Sequence, residues 1–267
     1  MIKKILFLCM TLMILLMPKG PVEAAGITAY EKFISPAYWT KHNADGDKVV
    51  LNAAGVEAFN KKIIAASPTV YDMAAYPKTL SGKTVTAYVN THTDLSDELY
   101  REGKLVSDNY KNILRSQTNA AAIPAEVTVR YGVTVRRANL RNLPTGEGLF
   151  FYASDRNFDA LQETALDPGE AVAILHTSTN GYFYYVQAYN YRGWLSKFDV
   201  AETDRSTWLR YAEPKNFLTV VAKDYTLKAD GAQVLFQQGA RLQLADKKAS
   251  ALSLIHISEP TRLGMIS

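Results

Sequence analysis

Cysteine is nearly absent from this chain. The 267 residues contain one cysteine, Cys9, and it lies inside an N-terminal apolar run that is typical of an export signal. A chain that loses this run forms no disulfide and carries no thiol nucleophile. We therefore exclude cysteine-peptidase chemistry for the mature residues and predict no catalytic residue among them.

Histidine is scarce as well, and its four positions do not suggest metal binding. His42, His92, His176 and His256 lack metal-ligand spacing, and the sequence has no His-Glu-x-x-His helix. We predict no bound metal and no cofactor, and we interpret His176 as a structural histidine. The Gly-x-Ser-x-Gly elbow of serine hydrolases is also missing. A glycosidase or esterase that uses carboxylates or a serine remains a third functional hypothesis.

The sequence has no concentrated positive charge. Its formal net charge is +4, and part of that excess lies in the first 24 residues, so the mature chain is nearly neutral. Nonspecific nucleic-acid binding needs a stronger field, and we predict no nucleic-acid partner. The densest basic cluster is Arg130, Arg136, Arg137 and Arg141. We interpret it as a solvated, salt-bridged face, with an anion site as the alternative.

The N-terminal apolar run is too short for a stable membrane anchor. Lys3 and Lys4 precede the run Ile5 to Met17, whereas a membrane-spanning helix needs about 20 apolar residues. Val22-Glu-Ala24 offers the small residues that a signal peptidase requires. We therefore predict a signal peptide at residues 1–24 and a secreted protein, in the periplasm or the cell wall.

The C-terminal end has an unusual sequence. Leu252 to Arg262 resembles the translation of a sequencing adapter, and we interpret residues 252–267 as a non-native tail. A natural tail is the alternative. If the tail is foreign, the gene continues past Ala251 and this chain is a fragment.

The strongest secondary-structure pattern runs from Val127 to Trp194. Apolar residues alternate with Thr and Arg after Val127, as in half-buried strands, and Gly132 would let this strand bend. Asp167-Pro-Gly169 predicts a turn, and Asn180-Gly181 predicts a hairpin. Four or five short strands fit in this stretch, so we predict a small β-barrel with Trp194 in its core.

The region before this barrel has mostly helical signals. Asn52 is placed to cap a helix whose apolar residues Val56, Phe59, Ile63 and Ile64 share one face. A second helix is predicted from about Asp108 to Gln117. Between them, the β-branched stretch from Thr84 to Val89 predicts a strand.

Beyond Trp194 the sequence predicts a linker and then a partial repeat. Residues 199–206 are polar, which is typical of a linker. Residues 218–244 repeat the apolar and turn pattern of the barrel at a spacing of about seventy residues. Nothing after them matches Tyr182 to Trp194, so we predict that the last strands of the second barrel are missing.

Several spaced motifs together resemble the bacterial SH3 domain of NlpC-type cell-wall endopeptidases. They are Leu140-Arg-Asn-Leu-Pro144, Phe158 with Gln162-Glu-Thr-Ala-Leu166 and Gly169, His176-Thr-Ser with Asn180-Gly181, and Tyr191-Arg-Gly-Trp194. Those enzymes are papain-like cysteine peptidases that cut the stem peptides of peptidoglycan. In one branch, a helical N-terminal region precedes two SH3 domains and the catalytic domain comes last. The resemblance covers roughly residues 49–227.

The resemblance implies an α+β fold with a defined order of parts. A small helical N-terminal region, residues 25–125, would stabilise the assembly by clamping the domains together. An all-β SH3-like barrel, residues 126–200, would follow it, and then a truncated second SH3-like barrel, residues 215–251. The Cys-His catalytic domain would lie farther along the gene and act in cis.

The resemblance also implies a function and candidate ligand-binding residues. This chain would be the noncatalytic front part of a secreted peptidoglycan endopeptidase, whose parent enzyme hydrolyses a bond such as γ-D-glutamyl to diamino acid. In such enzymes an acidic and an aromatic residue of the first SH3 domain hold the free amine of the stem peptide. We assign these roles to Glu163 and Tyr191 and predict that Arg192 also binds substrate, with Trp194 nearby. For Tyr191 surface packing is the alternative, and for Glu163 an ordinary strand-edge charge.

A different reading gives the chain no enzymatic domain at all. It would then be a stand-alone adaptor or binding protein whose partner is a cell-wall polymer rather than a stem peptide in a cleft. A stop codon close to Ala251 in the intact gene would favour this alternative, whereas an open frame with Cys and His motifs would favour the endopeptidase.

Overall fold

A computed structural model of the chain describes residues 32–91, 93–95, 97–229, 232–244 and 263–265. The predicted signal peptide and most of the predicted non-native tail lie outside these residues. The chain divides into two compact units, residues 1–58 and residues 59–267. The helices are α1 Pro36–His42, α2 Ala53–Ala66, α3 Gly82–Asn90, α4 Asp108–Ser116 and α5 Arg205–Ala212, with 3₁₀ turns at Lys32–Ile34, Ala120–Ala122 and Lys197–Asp199. None of the helices in these residues is long and apolar enough to cross a membrane.

The strands are numbered in chain order and most belong to one sheet. They are β1 Thr79–Ser81, β2 Tyr100–Arg101, β3 Lys104–Leu105, β4 Glu126–Thr128, β5 Arg130–Thr134, β6 Ala138–Arg141, β7 Gln162–Leu166, β8 Ala171–Thr177, β9 Phe183–Gln187, β10 Arg192–Ser196, β11 Val200–Thr203, β12 Phe217–Val220, β13 Asp224–Ala229, β14 Ala232–Gln237, β15 Arg241–Gln243 and β16 Leu263–Met265. Seven of them form an antiparallel sheet in the order β11-β5-β8-β9-β10-β6-β7. The structure thus combines helices with a large antiparallel sheet.

The first unit contains a group of aromatic residues whose rings contact one another. The ring centroids of Phe33 and Tyr38 lie 5.0 Å apart, and those of Tyr38 and Trp39 lie 5.3 Å apart. Helix α1 begins at Pro36, whose fixed φ suits the first helical turn. Residues 27–47 mix aromatic and polar residues without a helical period, so the sequence predicts an irregular segment there, and this prediction is wrong for Pro36–His42.

The predicted helix after Asn52 is confirmed as α2. The Asn52 side chain accepts a hydrogen bond from the Gly55 backbone N–H at 2.8 Å, which is the expected N-cap contact. The apolar face that predicted the helix is exposed within the described structure, with Phe59 showing 53% of its surface.

The stretch from Thr84 to Val89 was predicted as a strand, and that prediction is wrong. It belongs to α3, and the Ser81 hydroxyl caps this helix by accepting from the Thr84 N–H. Val85 and Val89, four residues apart, are both fully buried on one helical face. The cap and this burial outweigh the strand preference of the β-branched residues.

Strand β8, in the interior of the large sheet, is buried on both of its faces. Ala171, Ala173 and Leu175 pack into a cluster with Val85 of α3 and Trp208 of α5. Val172 and Ile174 point the other way and pack among the residues of β6, β9 and β10. A strand covered on both faces is apolar at successive positions, which explains the uninterrupted apolar run from Ala171 to Leu175.

Two details of the sheet differ from the expected strand pattern. The stretch from Val127 is two strands, because β4 pairs with β1 and β5 pairs with β8 and β11. Gly132 lies in the middle of β5, where an added Cβ would lie 2.5 Å from Val200 Cγ1 and 3.1 Å from Ile174 Cδ1. Close packing, rather than a bend, therefore requires glycine at this position.

A third apolar cluster forms where residues 142–161, between β6 and β7, pack against the N-terminal region. Leu143, Leu149 and Leu161 lie in this cluster with Leu114 of α4. The backbones of Tyr100 and Phe150 exchange two hydrogen bonds of 2.7 and 2.9 Å. Residues 95–114 of the N-terminal region and this long loop therefore form one packed body.

The polar residues 199–206 were predicted to be a linker, and this prediction is wrong. Residues 200–203 form β11, which pairs with β5. Asp204 then caps α5, its carboxylate accepting from the backbone N–H groups of Ser206 and Thr207. Trp208 is fully buried, and its Nε1–H donates to Val172 O at 3.0 Å. The polar residues thus form an ordered connection that is fixed to the sheet.

The pairing of β12 to β16 repeats the pairing within the large sheet. β12 pairs antiparallel with β15 as β5 does with β8, and β13 pairs with β14 as β6 does with β7. β16 lies on the other edge of β12, where β11 lies on β5. The described residues contain no counterparts of β9 and β10. The predicted truncation of this second barrel and the non-native origin of its tail stay predictions.

Candidate functional site

An open pocket of about 300 Å³ lies where the N-terminal region meets the large sheet. Helix α3 contributes Tyr88, the edge strand β7 contributes Glu163, and the β9–β10 turn contributes Asn190 and Tyr191. The pocket is lined by Thr69, Tyr88, Thr91, Glu163, Tyr185, Asn190, Tyr191 and Arg192. All three residues predicted to bind substrate, Glu163, Tyr191 and Arg192, therefore line one pocket, and their role stays a prediction.

Glu163 is placed by a β-bulge. In the pairing of β6 with β7, Leu140 lies opposite Thr164 and Arg141 lies opposite Gln162, so Glu163 has no partner on β6. Such an extra residue bends its strand and re-aims its side chain. β7 is also the last strand of the sheet, so its outer edge is open within the described structure. The bulge thus gives an edge glutamate a place in the pocket wall.

The turn that carries Tyr191 is fixed by a buried side chain. The Ala188 N–H donates to Tyr191 O at 2.8 Å and closes the turn. The Gln187 amide is fully buried and donates to Ala188 O at 2.6 Å and to Tyr191 O at 3.1 Å. The Tyr71 N–H donates to Tyr189 O at 2.7 Å and ties the turn to the N-terminal region. Tyr191 keeps 40% of its surface exposed at the mouth of the pocket.

Arg192 lies among tyrosine side chains. Its guanidinium carbon is 3.7 Å from the centroid of the Tyr88 ring and 6.0 Å from that of Tyr71. Its Nη1 donates a long hydrogen bond of 3.4 Å to the Tyr71 hydroxyl. The Tyr185 hydroxyl donates to the backbone O of Tyr88 at 2.8 Å, which ties β9 to the end of α3 that carries this ring.

Burial raises the pKa of two tyrosines near Arg192, Tyr71 and Tyr185. Desolvation raises the pKa of Tyr185 well above its ordinary value, although the charge of Arg192 acts in the opposite direction. Desolvation also raises the pKa of Tyr71. A phenol with an ordinary pKa is already neutral at physiological pH, and burial strengthens this preference, so neither group cancels the charge of Arg192.

The pocket can hold a small ligand that carries opposite charges. Glu163 supplies a carboxylate for an ammonium group, and Arg192 supplies a planar guanidinium for an anion. The aromatic face of Tyr191 adds contact area and attracts cations. Among the described residues no group of three or more His, Cys, Asp or Glu side chains is arranged to bind a metal ion.

The part of the pocket that comes from outside the SH3-like motifs was not predicted. Thr69, Tyr88 and Thr91 precede them, and Tyr88 lay in a predicted strand rather than on α3. Tyr185 and Asn190 lie within the motif region but were not predicted to line the site. The aromatic run at 182–185 predicts a strand but does not say which ring faces the pocket.

The basic cluster behaves as predicted at three of its four positions. Arg130, Arg136 and Arg137 are at least partly exposed and pair with Glu202, Asp199 and Asp167 at 2.8, 3.4 and 3.5 Å. The fourth is different, because the Arg141 side chain is 6% exposed and pairs with Asp159 at 2.7 Å. The prediction of a salt-bridged face is confirmed for the first three, whereas a solvated Arg141 is wrong.

His176 has the structural role predicted for it. Its Nε2 lies 3.0 Å from Asn119 O, so the imidazole donates to that carbonyl. Desolvation lowers the pKa of His176 and favours the neutral ring. Trp194 is fully buried, as predicted for a core residue.

Comparison with known proteins supports the SH3 assignment. Residues 149–196 match the model of the SH3 domain of the SH3b1 type. A solved structure with a similar fold is a novel NlpC/P60 endopeptidase from Photobacterium damselae subsp. piscicida, with 16% sequence identity and a TM-score of 0.56. The match covers 82% of this chain and 52% of that one, so the chain spans about half the length of that protein. No curated protein matches this chain.

Proposed function

We propose that this chain is the noncatalytic N-terminal and SH3 region of a secreted peptidoglycan endopeptidase. Residues 25–125 stabilise the assembly, residues 126–200 form its SH3 domain, and residues 215–251 begin a second one. The pocket of Glu163 and Tyr191 holds the free amine of a stem peptide, and the catalytic domain follows in cis. The SH3b1-type match and the fold shared with an NlpC/P60 endopeptidase support this proposal.

The bulge at Glu163 is the observation that carries the proposal. An ordinary edge glutamate alternates with its neighbours and needs no irregular pairing. Here the bulged residue lines the same pocket as Tyr191, and no described residue forms a hydrogen bond or ion pair with its carboxylate. A carboxylate placed in a concave site without a cationic partner is available for an ammonium group.

Binding of a stem peptide tests the amine site. We would titrate the purified chain with L-alanyl-γ-D-glutamyl-L-lysine and with its N-acetylated form, using calorimetry at neutral pH. Because one charge-assisted hydrogen bond contributes about 1.5–3 kcal/mol, we expect acetylation or Glu163→Gln to weaken binding at least about tenfold. Glu163→Gln should leave the affinity for the acetylated peptide unchanged.

Glu126→Gln is the matched control for the loss of one negative charge. Glu126 is exposed and lies opposite Ser81 in the pairing of β4 with β1. It is therefore at the opposite end of α3 from Tyr88. We expect it to bind both peptides like the unchanged chain. Equal affinities of the unchanged chain for the two peptides would refute the amine site.

The alternative function, a stand-alone cell-wall-binding or adaptor protein, differs in what the gene encodes next. Reading the frame past the codon for Ala251 in an unfragmented assembly separates the two. An open frame with Cys and His motifs supports the endopeptidase, and a stop codon supports the adaptor.

A further inference from the structure

The second strand repeat, β12 to β15, meets the SH3 domain at the turn between β7 and β8. The Gln237 N–H of β14 donates to Asp167 Oδ1 in this turn at 3.1 Å. An added Cβ on Gly169 would lie 3.8 Å from Arg241 O of β15, which is van der Waals contact. Two strands of the repeat therefore rest on one turn of the large sheet, and we call this contact the joint.

The turn itself is held by the SH3 domain. Thr134 of β5 is 2% exposed, and its hydroxyl donates to Asp167 O at 2.6 Å and accepts from the Glu170 N–H at 2.9 Å. The Gly169 N–H donates to Thr134 O at 2.8 Å. Opening of the joint would therefore move the second repeat and leave the turn in place.

Glu170 places an unpaired carboxylate in the joint. The residue is half-buried. It lines a cavity of about 10 Å³ together with Gly169, Tyr211, Pro214, Arg241 and Gln243. Among the described residues, its carboxylate accepts no hydrogen bond and has no cationic nitrogen within 4.0 Å. A carboxylate that is withdrawn from water without a partner is costly to ionise.

The charges around Glu170 do not offset its burial. Desolvation has the largest effect and raises the pKa of this carboxyl group. Arg241 of β15 acts in the opposite direction, but it is exposed, so water screens its charge. Asp167 on the same turn raises the pKa further, although it pairs with Arg137 at 3.5 Å. From α5, Tyr211 contributes a phenol to the cavity wall.

We propose that the joint is a pH-dependent contact, in which protonation of Glu170 tightens the docking of the second repeat and ionisation loosens it. When the repeat moves away, water reaches the carboxylate and its pKa returns toward the ordinary value of 4.5. Because the pKa is higher in the docked state, the contribution of Glu170 to docking is complete below that value and is lost as the pH rises through the docked pKa. The joint is separate from the pocket of Glu163 and does not depend on the proposed function.

Amide hydrogen exchange of the full chain, followed by NMR from pH 5 to pH 8, tests the joint. The Gln237 N–H reports on docking, and the Gly169 N–H, which is bonded within the SH3 domain, is the internal reference. After correction for the intrinsic exchange rate, we expect the protection of Gln237 to fall as the pH rises. One proton limits this fall to about tenfold per pH unit. Protection of Gln237 that stays constant or increases with pH, relative to Gly169, would overturn the proposal.

Variants show whether Glu170 is the titrating group. Glu170→Gln keeps the size of the side chain and stays neutral, so the protection of Gln237 should not change with pH and at pH 8 should exceed that of the unchanged chain. Arg241→Met removes a charge that favours the ionised carboxylate, so the fall should extend to higher pH. Glu213→Gln is the charge-matched control, because Glu213 is exposed at the end of α5, and its profile should match that of the unchanged chain.

The opposite arrangement, an ion pair of Glu170 with Arg241 that holds the joint closed, gives the opposite result. Glu170→Gln would then lower the protection of Gln237 at pH 8, and this outcome refutes the proposal. A variant that fails to fold loses the protection of Gly169 as well. In that case the pH profile of the unchanged chain decides, since it needs no substitution.

Discussion

Replacing Arg141 by Met tests how the long loop between β6 and β7 is held. The Arg141 side chain is 6% exposed and pairs with Asp159, whose side chain is 18% exposed, at 2.7 Å. Arg141 Nη2 also donates to Glu147 O at 2.6 Å, and Asp159 Oδ1 accepts from the N–H groups of Leu149 and Leu161. The pair therefore links the end of β6 to three points of the loop.

Removing one partner of such a pair leaves the other charge buried without compensation. Losses of this kind cost about 3–5 kcal/mol, which for a unit of this size lowers the melting temperature by roughly 10 °C. Asp159→Asn should cost less, because an amide oxygen can still accept the two backbone bonds. The double variant should lose less stability than the sum of the two single losses. The difference, which is the coupling free energy of the pair, should be about 1–3 kcal/mol.

Urea unfolding followed by circular dichroism measures these free energies. The control is Arg101→Met, because Arg101 also pairs with a residue of this loop, Glu147, at 2.8 Å, but both side chains are well exposed. We expect little change in the control, since exposed pairs contribute little to stability. If Arg141→Met destabilises no more than Arg101→Met, the buried pair does not hold the loop.

Two further predictions concern one backbone contact and one buried ring. Gly193→Ala should destabilise the protein by about 1–3 kcal/mol, because the new Cβ would lie 2.6 Å from Arg141 O and 3.0 Å from Leu140 Cγ. The control Gly146→Ala should be nearly neutral, because no atom lies within 4 Å of its new Cβ. Equal losses of unfolding free energy in urea for the two variants would contradict this prediction. Because burial lowers the pKa of His176 below its ordinary value near 6.5, the unfolded chain binds the proton first, and stability should fall as the pH drops below that value. In His176→Gln this contribution disappears. The unfolding free energies measured at pH 7 and pH 5.5 should therefore differ less in this variant than in the unchanged chain. The same pH difference in both proteins would contradict the prediction.

The strands of the SH3 domain were predictable because their signals are local. Alternation marked β5, and the turn glycines Gly169 and Gly181 both adopt the positive φ, +85° and +74°, that Asp-Pro-Gly and Asn-Gly turns require. Helix α3 was not predictable in this way, since its β-branched residues favour a strand until Ser81 caps it and Val85 finds a core. Tertiary packing decides whether such a segment forms a helix or a strand, and the local sequence pattern does not contain this information.

The same limit applies to the candidate site. Glu163, Tyr191 and Arg192 could be selected because they lie in recognisable motifs. The bulge at Glu163 depends on the pairing of β7 with β6, and Tyr88 reaches the pocket only because α3 packs on the sheet. Residues that enter a site through such long-range contacts leave no local signal.

The pocket belongs to the junction between two parts of the chain rather than to the SH3 domain alone. Tyr71 is tied to Tyr189 through their backbones, and the Tyr185 hydroxyl is tied to the backbone of Tyr88. The apolar face of β8 that these contacts flank is covered by Val85 of α3, so the junction is also a core. A ligand site built on a buried junction keeps its geometry, because separating the two parts would expose that core to water. The N-terminal region therefore does more than cover the sheet: it supplies one wall of the pocket, including the ring that orients Arg192.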